Sequence, residues 1–391
     1  MKRFALCLFI VFTAGTVQAQ DRTGPDFSGV LDSTVNYTAG TGDAKKHSFG
    51  IEEYANIRLK LKTGEKAVFN AAFNLIAISG NYVEVAAVLG SLNQQLPFVS
   101  TPVIYGSNYA AALELERLYF RINGDSLDIE AGLLRMAFGY GNVWGSMDFL
   151  NPRNPLAENA RPRGVLGANF SFYPADSFKL MFFAAAPGEP LQSDGGGFLP
   201  GVSMDKDWDK ASIQALYAYK TPLTDSKLGL HRFGLSLKAE MEIGLVVDAL
   251  YTLNPEKPEG IEGLSAGLGF DYSFFGGDLY ILAEYLFNGS SSVTSWADLG
   301  IWRNHNYLSG NAVYRFNDYC TLSFSTIFCF DDLSFTPIAK LEYEVFQGFV
   351  LNLSAFLPLD QKTLSGGRTG ELGPEERKVV CSINAGARLR F

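Results

Sequence analysis

This chain of 391 residues has few long hydrophobic runs, little cysteine and no excess of positive charge. Beyond residue 19, no segment approaches the ~18 consecutive apolar residues that a membrane-spanning helix needs. Acidic residues number 41 against 32 basic ones, which gives a net charge of −9. A nucleic-acid partner would select a basic face, so this balance argues against one.

Cysteine is too sparse and too scattered for a disulfide scaffold. Cys7 lies in an N-terminal apolar stretch, and Cys320, Cys329 and Cys381 are the other three. Cys320 and Cys329 fall at opposite ends of one predicted strand, ~30 Å apart at ~3.3 Å per residue, so they cannot bond to each other. There is no Cys-x-x-Cys pair, and we expect neither a metal site nor a cofactor.

Residues for nucleophilic catalysis are also sparse. The three histidines, His47, His231 and His305, are widely separated, and none belongs to a recognisable catalytic motif. A nucleophile needs a general base beside it, so we expect that the protein is not an enzyme.

The first nineteen residues have the three parts of a secretory signal peptide. Basic residues precede the apolar stretch 4–12, and a small-residue cleavage site ends at Ala19. No cysteine follows that site directly, which argues against a lipoprotein anchor. We therefore predict a signal peptide, residues 1–19, cleaved after Ala19, and one mature domain, residues 20–391.

The last thirteen residues alternate between apolar and mostly polar side chains, which is the pattern of an amphipathic strand. Such a strand is about long enough to cross a bilayer when tilted. The apolar face consists of Val379, Cys381, Ile383, Ala385, Ala387, Leu389 and Phe391, and the other face of Val380, Ser382, Asn384, Gly386, Arg388 and Arg390.

The same alternation recurs along the mature chain. Residues 49–62 alternate with Glu53 as the lone misfit on the apolar face, and a second amphipathic segment returns over 67–75 after a tight turn. Two such strands form a hairpin. Further alternating segments are predicted at about 27–37, 109–122, 126–137, 165–174, 177–186, 210–220, 231–240, 243–253, 262–274, 278–287, 306–316, 319–329, 334–345, 348–357 and 378–391.

Short turns alternate with long polar segments, which is typical of a membrane barrel. Seventeen segments are visible, but single-chain bacterial barrels normally have an even number of strands. Long loops can be assigned to the outside of the membrane by following the chain from its N-terminus or back from Phe391, and the two assignments conflict between residues 187 and 230. We therefore place a hidden strand at Phe198–Met204. We predict an all-β, antiparallel up-and-down transmembrane barrel of about 18 strands, or 16 if two weak segments merge, with short periplasmic turns and long extracellular loops.

A terminal phenylalanine after alternating apolar residues resembles the C-terminal signature that the barrel-assembly machinery of diderm bacteria reads. This resemblance implies an outer-membrane barrel surrounded by outer-membrane lipid, with Phe391 as the assembly signal. The first predicted strand begins within about ten residues of Ala19, which leaves no room for the N-terminal plug of a TonB-dependent transporter.

The stretch Val143–Pro155, which continues to Gly164, is the least strand-like part of the chain, and we expect the loop Phe138–Gly164 that contains it to narrow the pore. Its Trp-Gly, Asp and Asn-Pro spacing is similar to loops of porin-like barrels, where the loop packs against or inside the lumen. Because its arginines outnumber its acids, we expect a locally positive constriction that favours anionic solutes. The predicted constriction residues are Asp148, Arg153, Glu158, Arg161 and Arg163. Residues 82–96 are either a short helix in the lumen or an ordinary surface loop.

The polar face of the predicted strands would line the barrel. Its representative residues are Asn56, Arg58, Lys60, Glu284, Lys340 and Arg388. A polar, mixed-charge lining would hold water, so we expect a channel for passive diffusion of small polar or anionic solutes. Two alternatives stay open: a channel for hydrophobic substrates of the fatty-acid-transporter type, and a surface-exposed adhesin or structural barrel. The oligomeric state does not follow from the sequence.

Overall fold

The computed structural model of the chain describes residues 24–41, 47–83, 104–150, 155–156, 164–186, 197–222, 229–256, 260–289 and 302–391. The predicted signal peptide and its cleavage after Ala19 lie outside these residues. So does most of segment 82–96, of which only Tyr82 and Val83 are described.

The alternating segments form strands because successive side chains of a strand point to opposite faces. The strands are β1 (Asp26–Gly40), β2 (His47–Lys62), β3 (Ala67–Gly80), β4 (Ile104–Gly106), β5 (Tyr109–Asn123), β6 (Leu127–Leu134), β7 (Val165–Ala175), β8 (Phe178–Ala186), β9 (Leu199–Trp208), β10 (Ala211–Lys220), β11 (Leu230–Glu240), β12 (Gly244–Leu253), β13 (Leu264–Phe274), β14 (Leu279–Asn288), β15 (Asn306–Asn317), β16 (Cys320–Cys329), β17 (Ser334–Phe346), β18 (Phe349–Phe356) and β19 (Val379–Arg390).

These strands form one closed antiparallel sheet. Each long strand pairs with its sequence neighbours, and β1 pairs with β19 to close the barrel. The three-residue strand β4 extends the ladder of β5, while β3 and β5 pair directly. The barrel wall therefore has 18 strands, which confirms the predicted fold class. The hidden strand is also confirmed, because β9 (Leu199–Trp208) begins at the second residue of the predicted segment and continues four residues beyond its end.

The two rims of the barrel differ in their connections. Turns of two to four residues join the strands at one rim, where the chain ends also meet: Gly29 N donates to Phe391 O at 2.8 Å. The opposite rim carries the longer connections, among them 135–164 and 357–378. This difference matches the predicted arrangement of short turns and long loops.

Side chains alternate between an apolar outer face and a largely polar inner face. On β3, for example, Phe73 and Leu75 are exposed on the outside, whereas Asn74 is buried inside. A bulge on β5 interrupts the alternation, because Ala72 pairs with Arg117 and Phe73 pairs with Leu115. The extra residue is Glu116, so a glutamate and the adjacent arginine both lie on the inner side.

The C-terminal strand departs from its predicted pattern at its start. The sequence places Val379 on the apolar outer face and Val380 on the other, but Val379 is 1% exposed and Val380 is 41% exposed. This part of the prediction is wrong, because the pairing of β1 with β19 shifts register at this end. At the other end, Phe391 lies against Gly29, where an added Cβ would come within 2.6 Å of the ring. Recognition of Phe391 by an assembly machinery stays a prediction.

The connection between β18 and β19 contains two short helices, α1 (Gln361–Ser365) and α2 (Pro374–Arg377). Asp360 caps α1, since its Oδ1 accepts a hydrogen bond from Thr363 N at 2.8 Å. Pro374 occupies the first turn of α2, where its missing N–H costs nothing. Among the helices of the described residues, none is long and apolar enough to span a bilayer.

Candidate functional site

Residues 135–150, which we call the inner segment, follow β6 and fold into the barrel. They contain no strand, yet Phe138, Trp144 and Met147 are almost completely buried. The Phe138 ring centroid lies 4.9 Å from that of Phe183 on the inner wall. The inner wall offers a group of apolar side chains to this segment: Met181, Phe183, Leu199, Leu216, Ala218 and Leu250. Burial of these side chains holds the inner segment against the wall.

A carboxylate on the wall binds the backbone of the inner segment. Glu284 on β14 is 2% exposed. Its Oε2 accepts hydrogen bonds from Asn142 N at 2.9 Å and Val143 N at 3.1 Å, and its Oε1 accepts one from Trp144 N at 2.9 Å. Three consecutive N–H groups therefore converge on one buried carboxylate, an arrangement in which charge-assisted hydrogen bonds are strong.

A second carboxylate binds the backbone just before these residues of the inner segment. Asp248 on β12 is 1% exposed. Its Oδ1 accepts a hydrogen bond from Tyr140 N at 3.2 Å, and its Oδ2 accepts one from Gly141 N at 2.9 Å. The Ser236 hydroxyl on β11 also donates to this carboxylate. Asp248 and Glu284 thus fix the path of the inner segment across strands β11 to β14.

Two glycines allow the backbone to approach Asp248 so closely. Gly139 has a φ of +82°, and an added Cβ would lie 2.6 Å from Asp248 Oδ2. At Gly141 an added Cβ would lie 2.8 Å from the same oxygen. Gly139 N also donates to Gln214 Oε1 on β10 at 2.6 Å. Any larger residue at either glycine would displace the segment from the carboxylate.

Trp144 joins the inner segment to the long-loop rim. Its ring centroid lies 5.1 Å from that of Trp302, in an edge-to-face arrangement, and 5.7 Å from that of Tyr307. Leu372, from the connection between β18 and β19, is buried in the same cluster. Edge-to-face aromatic pairs contribute about 0.5–1.5 kcal/mol beyond their buried area. The inner segment is therefore packed against an external loop as well as the wall.

Glu371 ties that external loop to the barrel. It is 7% exposed and accepts hydrogen bonds from Arg303 N at 2.7 Å and from the Tyr307 hydroxyl at 2.7 Å. Burial raises the pKa of the Glu371 carboxyl, and these hydrogen bonds offset part of that effect. The neighbouring Leu372 reaches the aromatic cluster because Glu371 holds the loop at this place.

A thiol and two carboxylates meet beside this contact. Ligand atoms of Cys329, Asp332 and Glu371 lie within 4.8 Å of one another. Asn304 Nδ2 donates to Cys329 Sγ at 3.1 Å and to Asp332 Oδ2 at 2.8 Å, and Glu371 N donates to Asp332 Oδ2 at 2.7 Å. The described contacts therefore assign this cluster a structural part in holding the external loop.

Three arginines lie around strands β2 to β6, two of them on the inner wall and the third, Arg135, at the start of the inner segment. Arg58 on β2 pairs with Ala72 on β3, which pairs with Arg117 on β5. Arg135 follows β6 directly, and the charges of Arg58 and Arg135 both act on Arg117. Arg58 and Arg117 are therefore separated on the inner wall by one strand, β3, on which the small residue Ala72 lies between them. We call Arg58, Arg117 and Arg135 the arginine arc.

Only one of the predicted constriction residues is among the described ones. Asp148 lies in the inner segment, is 7% exposed, and has its Oδ2 3.9 Å from Arg135 Nη2. The other four predicted constriction residues, Arg153, Glu158, Arg161 and Arg163, lie outside the described residues.

Of the predicted lining residues, two keep substantial exposure inside the barrel, namely Arg58 and Lys60. Asn56 is buried and donates to Asn74 Oδ1 at 2.6 Å. Glu284 faces inward beneath the inner segment, as described above.

The remaining two predicted lining residues form ion pairs on the inner wall. Lys340 Nζ lies 3.1 Å from Glu342 Oε1, and Arg388 Nη2 lies 2.6 Å from Asp32 Oδ2. The first pair lies within β17, and the second connects β19 to β1. None of the described predicted lining residues faces the outside of the barrel.

The sequence reasoning missed the arginine arc and the anchoring part played by the buried acids. Alternation shows that Asp248 and Glu284 point inward, but not that a distant segment covers them. Arg117 was hidden by the bulge on β5, and Arg135 by its place after the last residue of β6. The glycine pair at 139 and 141, beside an inward-facing acid, is the one signal that could have pointed to the anchor.

One catalytic motif is present in the sequence, contrary to the expectation that there is none. Gly263-Leu264-Ser265-Ala266-Gly267 fits Gly-x-Ser-x-Gly. In serine hydrolases that serine sits on a sharp turn between a strand and a helix. Here Ser265 lies within β13 and is 1% exposed on the inner wall. It therefore lacks the geometry of an exposed nucleophile.

Comparison with known proteins supports the fold. No family model matches the sequence, and no curated protein matches it. Among solved structures, OccAB4 of Acinetobacter baumannii aligns at 11% identity over 95% of this chain and 99% of that chain, with a TM-score of 0.56. A mutant of the Rhodopseudomonas blastica porin aligns at 12% identity over 94% of this chain and 100% of that chain, with a TM-score of 0.49. The chain therefore shares its barrel fold with OccAB4.

Proposed function

We propose that this protein is a channel of the outer membrane of a diderm bacterium, through which small polar solutes diffuse, with a preference for anions. The observation that carries the proposal is the inner segment, held inside an 18-strand barrel by Asp248 and Glu284. Side chains alone cannot fill a barrel of this strand number. A segment fixed inside the barrel narrows the lumen and leaves the wall unchanged.

The polarity of the two faces supports a water-filled membrane channel. The outer face is apolar, with aromatic side chains near both rims, as in barrels that contact lipid. On the inner face, the side chains of Arg121 and Lys238 remain 42% and 41% exposed. Charged groups on a wall that stays accessible to water favour polar solutes over hydrophobic ones.

The arginine arc supports the preference for anions. The inner segment begins at Arg135 beside β6 and continues along β8 to β14, whereas Arg58 and Arg117 lie on β2 and β5. We place these three arginines at the border of the lumen that the segment leaves open. Low-dielectric walls focus their field on a passing solute. Arg153, Arg161 and Arg163 would strengthen the effect if they line the same passage.

The two alternatives draw less support from these residues. A channel for hydrophobic substrates would need an apolar route, whereas the described inner wall carries the arc and several ion pairs. An adhesin or structural barrel has no need of a segment anchored inside the lumen. No described contact favours either alternative over a diffusion channel.

The test is a planar-bilayer measurement of the full chain in a salt gradient. Wild type should form pores with an anion-selective reversal potential. Replacing Arg58, Arg117 and Arg135 together by alanine should move the reversal potential toward the cation side, and the same change at Arg153, Arg161 and Arg163 tests the rest of the loop.

The matched control removes three cations that are exposed near the rim of short turns, Lys62, Arg315 and Arg390. It should change the reversal potential less, because these residues are distant from the inner segment. Absence of any conductance would overturn the channel proposal. Pores with unchanged selectivity in both arginine triple variants would overturn the assignment of anion preference.

A further inference from the structure

A tyrosine and a histidine form a hydrogen-bonded pair on the outer face of β1 and β2, beside the rim of long connections. His47 is the first residue of β2, and Tyr37 lies diagonally across from it on β1, directly opposite Phe49. The Tyr37 hydroxyl and His47 Nδ1 are 2.6 Å apart and share a hydrogen bond. Tyr37 and Phe49 are exposed on the outside, whereas the adjacent Asn36 is buried inside. The pair therefore lies where the outer face meets this rim.

The same arrangement recurs on β10 and β11. His231 precedes Phe233 by two residues, as His47 precedes Phe49, and Tyr217 lies directly opposite Phe233. The Tyr217 hydroxyl and His231 Nδ1 are 2.9 Å apart. Along the wall, β10 is the eighth strand after β1, so the two arrangements lie on nearly opposite sides of the 18-strand barrel. One geometry at two distant places indicates a use that the packing of a single hairpin does not explain. We call these two groups the tyrosine–histidine pairs.

The tyrosine of each pair decides which histidine atom is presented to the surroundings. A hydroxyl that donates to Nδ1 leaves the ring proton on Nε2, and a protonated ring also carries a proton there. Nε2 is on the far side of the ring from the tyrosine. Among the described residues, neither His47 Nε2 nor His231 Nε2 has a hydrogen-bond partner. Each pair therefore offers one outward N–H donor at the edge of the outer face.

Apolar rings lie on the membrane side of each donor, and acids are distant from it on the same face. Phe49 is 58% exposed and Phe233 is 48% exposed. Among the outward residues of β1, β2 and β3, the one acid is Glu53, six residues from His47 and thus ~20 Å away at ~3.3 Å per residue. The outward residues of β10, β11 and β12 include no acid. A donor above exposed phenyl rings fits a ligand with an anionic head and an apolar tail.

We propose that each tyrosine–histidine pair binds the phosphate group of an anionic membrane lipid, whose acyl chains lie against Phe49 or Phe233. Aromatic girdles of membrane barrels lie at the level of the lipid head groups, where such a phosphate is found. A hydrogen bond from Nε2–H to a phosphate oxygen is charge-assisted and therefore strong. A free phosphate ion could accept the same bond, but it has no apolar part to contact the rings. The proposal rests on the membrane location proposed above and does not depend on conductance.

The third histidine of the chain is a matched control. His305 also lies at this rim, and its ring stacks on Phe287 with the centroids 6.4 Å apart. Its Nδ1, however, lies 2.7 Å from the backbone oxygen of Asn288, and its backbone N donates to Asp331 Oδ2 at 2.8 Å. The Asp331 carboxylate beside it would repel a phosphate. We therefore expect no lipid phosphate at His305.

The test counts the lipids that the full chain retains in mild detergent, by native mass spectrometry. The probes are phosphatidic acid, whose phosphate is uncapped, and phosphatidylcholine with the same acyl chains. Wild type should retain one more molecule of phosphatidic acid than of phosphatidylcholine for each tyrosine–histidine pair. The double variant His47→Asn with His231→Asn keeps an amide near the Nδ1 position but removes the outward donor. It should lower the affinity for phosphatidic acid roughly tenfold or more, because a hydrogen bond to a charged group is lost.

Two further variants make the test specific. The double variant His47→Gln with His231→Gln places an amide N–H near the Nε2 position and should keep most of the binding, and His305→Ala should leave the binding unchanged. Equal retention of phosphatidic acid by wild type and the asparagine variant would overturn the proposal, as would equal retention of the two lipids by wild type. Displacement of the lipid by excess inorganic phosphate would also overturn it, in favour of a free anion. A chain that retains the lipid but forms no pores would overturn the channel function and leave this proposal supported.

Discussion

Replacing Glu284 by alanine should release the inner segment while leaving the barrel intact. The change removes the acceptor for the N–H groups of Asn142, Val143 and Trp144. A hydrogen bond to a charged group contributes about 1.5–3 kcal/mol, so three such bonds would sum to about 4.5–9 kcal/mol if nothing replaced them.

Two effects reduce that sum. Water in the lumen can bind some of the freed N–H groups, and the hydrogen bond from Trp144 Nε1 to the backbone oxygen of residue 284 remains. We therefore expect a cost of about 3 kcal/mol, which lowers the ratio of held to released segment by roughly 150-fold. Single-channel recordings of Glu284→Ala should show higher and noisier conductance and weaker anion selectivity. The thermal transition of the barrel should move little, because the strand ladders are unchanged.

The control for charge is Glu342→Gln. Glu342 is also a carboxylate of the inner wall, but its described contacts are the side chains of Lys340 and Arg388 rather than the inner segment. This variant should retain wild-type noise. If Glu284→Ala gave the same conductance and noise as wild type, the argument that buried carboxylates position the inner segment would be refuted.

Two other regions of the molecule lead to predictions. Deleting Phe391 should lower outer-membrane levels and raise periplasmic degradation, and Gly29→Val should do so more weakly because its side chain would collide with the Phe391 ring; normal surface levels of the truncated chain by immunoblotting would contradict this. In the external loop, burial would raise the pKa of Asp360, but hydrogen bonds from Thr363 and Gly370 outweigh it and lower the pKa. Ionised Asp360 therefore stabilises the loop above its ordinary pKa, and this stability is lost as the pH falls through the lowered pKa of the folded state. Limited proteolysis should cut the loop faster in acid. The Asp360→Asn variant should be cut faster already at neutral pH.

Most of the barrel could be predicted from the sequence because a period of two assigns each residue to a face. This local rule holds wherever strands are regular, as in β2 and β3. The expectation of an even number of strands indicated that one strand, β9, was missing from the count. It fails where the register shifts. The bulge at Glu116 and the start of β19 at Val379 both depend on how a strand pairs with its neighbour, which alternation within one strand cannot show.

The inner segment shows the other limit of sequence reasoning. Its unusual composition marked it as a special loop, but its position depends on contacts with residues about 75–142 positions away, such as Gln214 and Glu284. Inward-facing acids look alike in a strand pattern whether they face water or bind a backbone. Only the closed barrel decides which of them the loop reaches, because closure fixes which strands lie across the lumen from β6.

The anchoring contacts also suggest why this barrel has acids and apolar residues on part of its inner wall. A wall that lined only water would need neither Phe183 nor Leu250 facing inward, and it would not bury Glu284 to 2% exposure. These residues form the contact surface for the inner segment on the wall. Trp144 extends this contact to the external loop by packing with Leu372. The segment is thus fixed at three places, two on the wall and one at the rim. In the proposed channel, a constriction held in this way would keep its shape while solutes pass, and its selectivity would be set by the charges that face the remaining opening, which in the described part of the chain include the arginine arc.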